Sequence, residues 1–365
     1  MQPQPLPHNQ IQRILVRGTN WIGDAVMTTP ALRRLRLAFP AARITLLTTP
    51  RTAGLFESAK EVDEVLVYYR AEGWRSFLKM TRVLRERRFD LALLFQNAFE
   101  AALLAWLGGA RWRIGFDAQH RGLLLTHALK RNPQHCGRHQ VHDYLDLVAA
   151  SEKIAGGQSM ELKSAANDWP VPALTVSGMQ EQAAITLLQH HSIKPDTSPL
   201  IALNAGATNS RAKCWPEERF AALADLLIDE LDAQVILIGA DSERENAERV
   251  IANMHHTGAL NLAGKTNVVE LVGLLDHCDL LVSNDTGPAH IAAALGRPTL
   301  TLFGPTNEFE TAPLGPHASI VRVEGIECAR CMLRDCPIDH RCMTRLSADE
   351  VAQRALSLWR NAKCG

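Results

Sequence analysis

The feature that most constrains this chain is an alternation that runs twice. Short runs of β-branched and aliphatic residues alternate with helically spaced apolar residues, first over 13–107 and again over 200–303. In the first half, strands are predicted at 13–18, 43–48, 64–68 and 91–95, separated by helices at 30–39, near 52–58, at 74–87 and at 99–107. In the second half, strands at 200–204, 234–238, 280–283 and 299–303 alternate with helices at 216–231, 242–254, 268–275 and 289–295. Strands separated by helices at this rhythm mean a parallel sheet covered on both faces. A chain of 365 residues is too long for one ordinary core and suits two.

Residues 150–199 break the rhythm. They carry Gly156, Gly157, Ser159, Asn167, Asp168, Pro170, Pro172, Pro195 and Pro199, with one plausible helix at 178–190. The stretch reads as the connection between domains, placed at 1–175 and 176–346, with a final helix in 347–365. The expected fold is therefore α/β, with two Rossmann-like doubly wound parallel-sheet domains facing a central cleft. Such folds bind ligands at the carboxyl ends of their strands.

Charge narrows the function classes. With 39 basic and 39 acidic side chains the formal net charge is zero, unlike a protein living mainly on nucleic acid. No apolar run approaches a membrane span; the longest, 98–110, is interrupted by Glu100 and two glycines. The start, MQPQPLPHNQIQR, lacks the charged region and apolar core of a signal peptide, so a cytoplasmic location is expected. Locally the balance shifts: 70–138 holds 13 Lys and Arg against five Asp and Glu. A basic face of this kind either holds anionic sugars and a membrane surface or is simply solvated.

Four loops carry the candidate chemistry. Gly18-Thr-Asn-Trp-Ile-Gly-Asp24 follows the first strand. It is not the GxGxxG dinucleotide fingerprint, so a hydride-transfer reading loses its main support. Asp24 is either a helix N-cap or a carboxylate available as general base. Ser283-Asn-Asp-Thr-Gly-Pro-Ala-His290 joins a strand to a helix. Asp285 or Thr286 can cap there, Gly287 leaves the backbone open, and the helix amides suit a pyrophosphate. His290 either faces the same anion or packs beneath the loop. In 204–216, Arg211 and Lys213 stand beside a small polar loop, suiting a diphosphate whose charge grows as it leaves, or simply solvent. Glu243 follows the 234–238 strand, either as a ribose-binding acid or as an ordinary first-turn acid.

Of eight cysteines, Cys136, Cys214, Cys278 and Cys364 are scattered and expected to be buried free thiols. The others cluster as Cys328-x2-Cys331-x4-Cys336-x5-Cys342. The spacing is compatible with a structural zinc, to which His340 is a further candidate ligand, with disulfides, or with free thiols.

Taken together, GxxxxGDAV, AKxWP and SNDTGPAHIAAALGRPTLTLFGPT, in that order, resemble the family 9 glycosyltransferases, the ADP-heptose:lipopolysaccharide heptosyltransferases. The segment ECARCMLRDCPIDHRCM resembles versions of heptosyltransferase II and its close relatives. The resemblance implies a GT-B fold whose final helix returns to the N-terminal domain. It implies inverting transfer of L-glycero-D-manno-heptose from ADP-heptose to the heptosyl-Kdo2-lipid A inner core, adding the second heptose. Asp24 matches the proposed catalytic base and Lys213 the lysine on the donor phosphates. Thr208 matches a donor-loop threonine, Glu243 the ribose acid, and Asp285, Thr286, Gly287 and His290 the donor-binding loop. Asn20 and Gly23 lie where relatives contact acceptor, and Arg113, Arg121 and Arg138 are candidates for acceptor phosphates. With cations and a helix N-terminus at hand, no metal cofactor is expected for the transfer. Peripheral contact with the cytosolic face of the inner membrane follows from a lipid acceptor. Heptosyltransferase I or III, with another acceptor, and a non-catalytic nucleotide-sugar binder are the alternatives.

Overall fold

The computed structural model describes residues 10–131, 137–156, 170–194, 197–208 and 210–364. Cys136 and the linker positions Gly157, Ser159, Asn167, Asp168 and Pro195 lie outside the described residues, as does the side chain of Cys364. The chain divides into two compact units, Met1–Pro172 and Ala173–Gly365.

The first unit holds β1 (Arg13–Arg17), β2 (Arg43–Thr48), β3 (Glu64–Val67), β4 (Leu91–Leu94), β5 (Trp112–Phe116) and β6 (His127–Leu129). They form one sheet in the order β3-β2-β1-β4-β5-β6, with every pairing parallel. The second unit holds β7 (Leu200–Asn204), β8 (Gln234–Leu237), β9 (Leu260–Asn261), β10 (Leu280–Asn284), β11 (Thr299–Leu302) and β12 (Ala318–Val321). Its order, β12-β11-β10-β7-β8-β9, is the same winding, again all parallel. Each sheet reverses direction beside its first strand, between β1 and β4 and between β7 and β10. At such a switch point the two flanking loops splay apart and leave room for a ligand.

The central strands read clearly because they are wholly buried: β4, β7, β10 and β11 are buried at every position. The strand β5, the edge strands β6, β9 and β12 and the helix Val141–Ile154 were not anticipated. These three edge strands are two to four residues long and only partly buried, so they carry little periodic signal of their own. The predicted helix near 52–58 ends early, at Pro50–Ala53, and passes into a tighter turn over Gly54–Phe56.

Helix Val141–Ile154 is tied to helix Thr29–Ala38 by a buried bidentate pair. Arg34 Nε and Nη2 donate to Glu152 Oε1 and Oε2 at 2.8 and 2.7 Å. The final helix is Ala348–Cys364. In the structure it packs against helix Glu217–Leu231 and the strands β10, β11 and β12. Val351, Ala352, Ala355 and Leu356 enter the core of the second unit, so burial of that apolar stripe places the helix there.

Candidate active site

In the second unit three loops converge at the switch point. Two asparagines at the strand ends join them. Asn204 Nδ2, at the end of β7, donates to Thr286 Oγ1 at 2.8 Å. Asn284, at the end of β10, donates to the carbonyl of Ala205 at 2.8 Å and accepts from the Trp215 amide at 3.1 Å. Both asparagines are almost fully buried, where an unpaired amide would be costly. They hold the loop that carries Lys213 against the loop that carries Asp285. Lys213 Nζ lies 2.8 Å from Asp285 Oδ2 and 3.2 Å from the Asp285 carbonyl. Asp285 is buried while the lysine keeps partial access to solvent, so this cation can meet an anion from outside.

Neither Asp285 nor Thr286 caps the following helix, Gly287–Ala294. Asp285 is held by Lys213, and the N-cap residue Thr286 is held by Asn204 and makes no side-chain bond to the helix amides. Such an amide end, with its partial positive charge, suits an anion. His290 is buried in the first turns of that helix. On the other flank, Glu243 accepts from Thr208 Oγ1 at 3.0 Å and from the Ala240 amide at 2.8 Å. Gly206 and Gly239 make this seat possible: a Cβ on Gly206 would lie 2.3 Å from Glu243 Cδ, and one on Gly239 2.7 Å from Oε2. Thr208, Lys213, Glu243, Asp285, Thr286, Gly287 and His290 thus gather around the β7 and β10 strand ends.

In the first unit, Asp24 is the third residue of a short helix, Ile22–Met27, directly after β1. It is not the cap; Trp21 holds that position without a side-chain bond. The buried Tyr144 phenol is pushed up, first by burial and then by the charge of Asp24. Arg17, at the end of β1, was missed by sequence reasoning. It is buried, donates to the Gly18 carbonyl at 2.6 Å and to Asn20 Oδ1 at 3.1 Å, and sits 5.9 Å over the Tyr68 ring. Burial lowers its pKa to about 10, with Glu100 and Tyr68 opposing the shift. Only its place at the end of a buried strand could have marked it, because arginine rarely ends there without a partner.

Against known proteins, residues 77–341 match the family model of glycosyltransferase family 9 (heptosyltransferase). The chain belongs to glycosyltransferase family 9. Lipopolysaccharide heptosyltransferase 2 of Salmonella typhimurium is 30% identical to it, covering 85% of this chain and 88% of that one. Lipooligosaccharide heptosyltransferase 2 of Haemophilus influenzae is also 30% identical, covering 86% and 89%. The solved structure of ADP-heptose lipopolysaccharide heptosyltransferase II from Escherichia coli superimposes with a TM-score of 0.80 at 27% identity, covering 96% of this chain and all of that one. The fold is the two-Rossmann GT-B fold of these glycosyltransferases.

Within this glycosyltransferase the other candidate side chains have partners inside the protein. Arg121 is fully buried and donates Nε to the Phe116 carbonyl at 2.8 Å and Nη2 to Asn97 Oδ1 at 2.7 Å. It braces the loop after β4. Arg113 is similarly spent, on the carbonyls of Leu124 and Ala110, both at 2.6 Å. Arg138 pairs with Asp146, and Arg211 with Asp335 at 2.8 Å on the surface. Asn20 is engaged by Arg17, and Gly23 sits in the short helix beside Asp24.

A structural zinc at Cys328, Cys331, Cys336 and Cys342 is not supported. Among the described residues no group of three or more His, Cys, Asp or Glu is placed to hold a metal ion. Cys328 and Cys331 are exposed, whereas Cys342 packs into the apolar core with Met343 and Leu346. Burial, then the neighbouring cysteines, pushes the Cys342 thiol up to about 11, so it stays protonated near neutral pH. His340 is engaged instead with the Ala212 carbonyl. Cys278 is buried as expected, and Cys214 is partly buried.

Proposed function

We propose that the chain transfers L-glycero-D-manno-heptose from ADP-heptose to the heptosyl-Kdo2-lipid A inner core of lipopolysaccharide, adding the second heptose. The observation that carries this reading is the gathering of Lys213, an uncapped helix N-terminus and the Thr208–Glu243 pair at the β7–β10 switch point. The cation and the amides suit the diphosphate, and the carboxylate beside Thr208 suits the ribose hydroxyls. Full-length relatives named heptosyltransferase 2 support the acceptor choice; heptosyltransferase 3 of Escherichia coli is 26% identical over 80% of this chain.

In this reading the acceptor hydroxyl attacks the anomeric carbon opposite the departing ADP. Its proton passes to Asp24, the bond from the carbon to the phosphate oxygen breaks, and the configuration inverts. Lys213 and the amides at Thr286–Gly287 stabilise the charge that grows on the leaving diphosphate. The assay is incubation with ADP-heptose and either Kdo2-lipid A or its monoheptosylated form, following ADP release and product mass. Product from the heptosylated acceptor alone is expected. Product from bare Kdo2-lipid A would reassign the chain to the first heptose, and binding of ADP-heptose without product from either would leave a nucleotide-sugar binder.

A lipid-borne acceptor also calls for contact with a membrane surface. Among the described residues no helix is long and apolar enough to cross a membrane. The helix Trp74–Arg87 instead exposes Trp74 and Leu78 beside Arg75, Lys79, Arg82 and Arg85. Aromatic and aliphatic side chains ringed by cations suit an anionic headgroup layer. Replacing Lys79 and Arg82 with glutamate should weaken cosedimentation with phosphatidylglycerol vesicles by roughly tenfold or more, at about 1 kcal/mol per charge near the surface. Unaltered vesicle binding would assign this helix to solvent.

A further inference from the structure

We propose that the Cys-rich segment between Ile326 and Leu346 is a strap that positions the donor loop, and that His340 is the positioning residue through which it holds Lys213. This rests on the donor reading given above. His340 Nε2 lies 2.6 Å from the carbonyl of Ala212. A carbonyl only accepts, so the proton of that imidazole sits on Nε2. The amide of the same residue, Ala212, donates to the Arg334 carbonyl at 2.9 Å. Ser210 Oγ donates to that carbonyl too, at 3.2 Å. Both main-chain groups of Ala212 are therefore taken by the strap, one residue before Lys213.

The strap is itself anchored on both sides of this grip. Upstream, the Met332 amide donates to the Pro305 carbonyl at 2.9 Å. Arg330 donates to the buried carboxylate of Glu308 at 2.5 and 3.1 Å, and Arg322 holds the same carboxylate. Downstream, Cys342, Met343 and Leu346 are part of the core, and the Leu346 carbonyl accepts from Trp215 Nε1 at 3.0 Å. Arg330, Met332 and His340 have φ of 63°, 58° and 55°. Side-chain-bearing residues persist in that left-handed region only where the surroundings over-determine them. A segment anchored in this way gives the turn Arg211–Lys213 fixed points to bond to.

The consequence is specific to the donor. If the Ala212 carbonyl is released, Lys213 loses its fixed distance to Asp285 and to any diphosphate beside it. Two variants separate this from a loss of fold. His340→Asn tolerates the left-handed backbone, but its amide stops short of the Ala212 carbonyl. His340→Gln carries an N–H about as far as Nε2 does. ADP affinity by calorimetry, KM for donor and for acceptor, kcat and Tm are measured on the full chain. His340→Asn should raise the ADP Kd and the donor KM together by about tenfold, the worth of one hydrogen bond of about 1.4 kcal/mol. The acceptor KM should stay within about twofold, and His340→Gln should recover most of the ADP affinity. Ser210→Ala, which removes a milder clasp without touching the core, should shift the ADP Kd in the same direction.

ADP affinity unchanged in His340→Asn would overturn the strap's role while leaving the donor reading intact. Equal losses of Tm in both His340 variants, without rescue by glutamine, would overturn it as well and leave His340 a purely structural residue. Failure of the wild-type chain to bind ADP would overturn the donor reading and this inference with it.

Discussion

Replacing Asp24 with asparagine should cut heptose transfer by about 10²–10⁴-fold while ADP binding stays at the wild-type level. The substitution preserves the volume of the side chain and removes its charge and its ability to accept a proton. Asp24 sits in the short helix Ile22–Met27 after β1, at the first unit's switch point, and its charge is felt by the buried Tyr144 phenol. The loops proposed to hold the nucleotide belong to the other unit, so ADP affinity gives an independent check that the variant is folded. The measurement is single-turnover transfer to the heptosylated acceptor beside an ADP titration. Turnover within about tenfold of wild type would remove Asp24 from the proton transfer, since a positioned base contributes far more than that.

Replacing Lys213 with methionine should lower transfer by about 10²–10³-fold and raise the donor KM. Methionine keeps the apolar stem and deletes the charge opposite the departing diphosphate. The change also leaves the buried Asp285 carboxylate without its 2.8 Å partner. Breaking one side of a buried pair costs up to about 3–5 kcal/mol, and the partial exposure of Lys213 puts this case at or below the lower end. The double variant Lys213→Met with Asp285→Asn separates the two effects. It should regain most of the lost Tm, because no carboxylate is left unpaired, and should regain little of the transfer rate. Recovery of both together would make the lysine a structural partner of Asp285 and nothing more.

The two units reach their sites by different means. In the second, the polar side chains are already paired with one another: Asn204 with Thr286, Lys213 with Asp285, Thr208 with Glu243. On the proposed donor reading, an arriving nucleotide sugar would exchange some of these bonds for its own, so the loops would need little ordering when it binds. In the first, Arg17 is committed to holding the Gly18–Asn20 turn from below. The strap adds a third kind of support, from a segment whose cysteines invite a reading as metal ligands. Its contribution lies in main-chain hydrogen bonds that no side-chain motif announces.

How far the sequence reached follows from where each signal is written. The central strands, the helices that cover them and the loops at their carboxyl ends were legible from order and composition alone. Full burial makes β4 and the leading residues of β7 and β10 apolar and fills β11 with leucine and threonine, and a ligand loop between strand and helix needs glycine and small polar residues at set places. Lys213, Glu243, Asp285 and Thr286 stood out as donor-site candidates for that reason, because each stands in such a loop. The roles of Arg113, Arg121, His340 and the four clustered cysteines were not. An arginine reads the same in sequence whether its guanidinium meets a phosphate or the carbonyls of Phe116 and Gln96, and a cysteine the same whether it holds a metal or, like Cys342, packs beside Met343. Local pattern determines which residues line a strand end; only the packed chain decides whether a polar group's partner is already supplied from within, and so whether it remains available to a substrate.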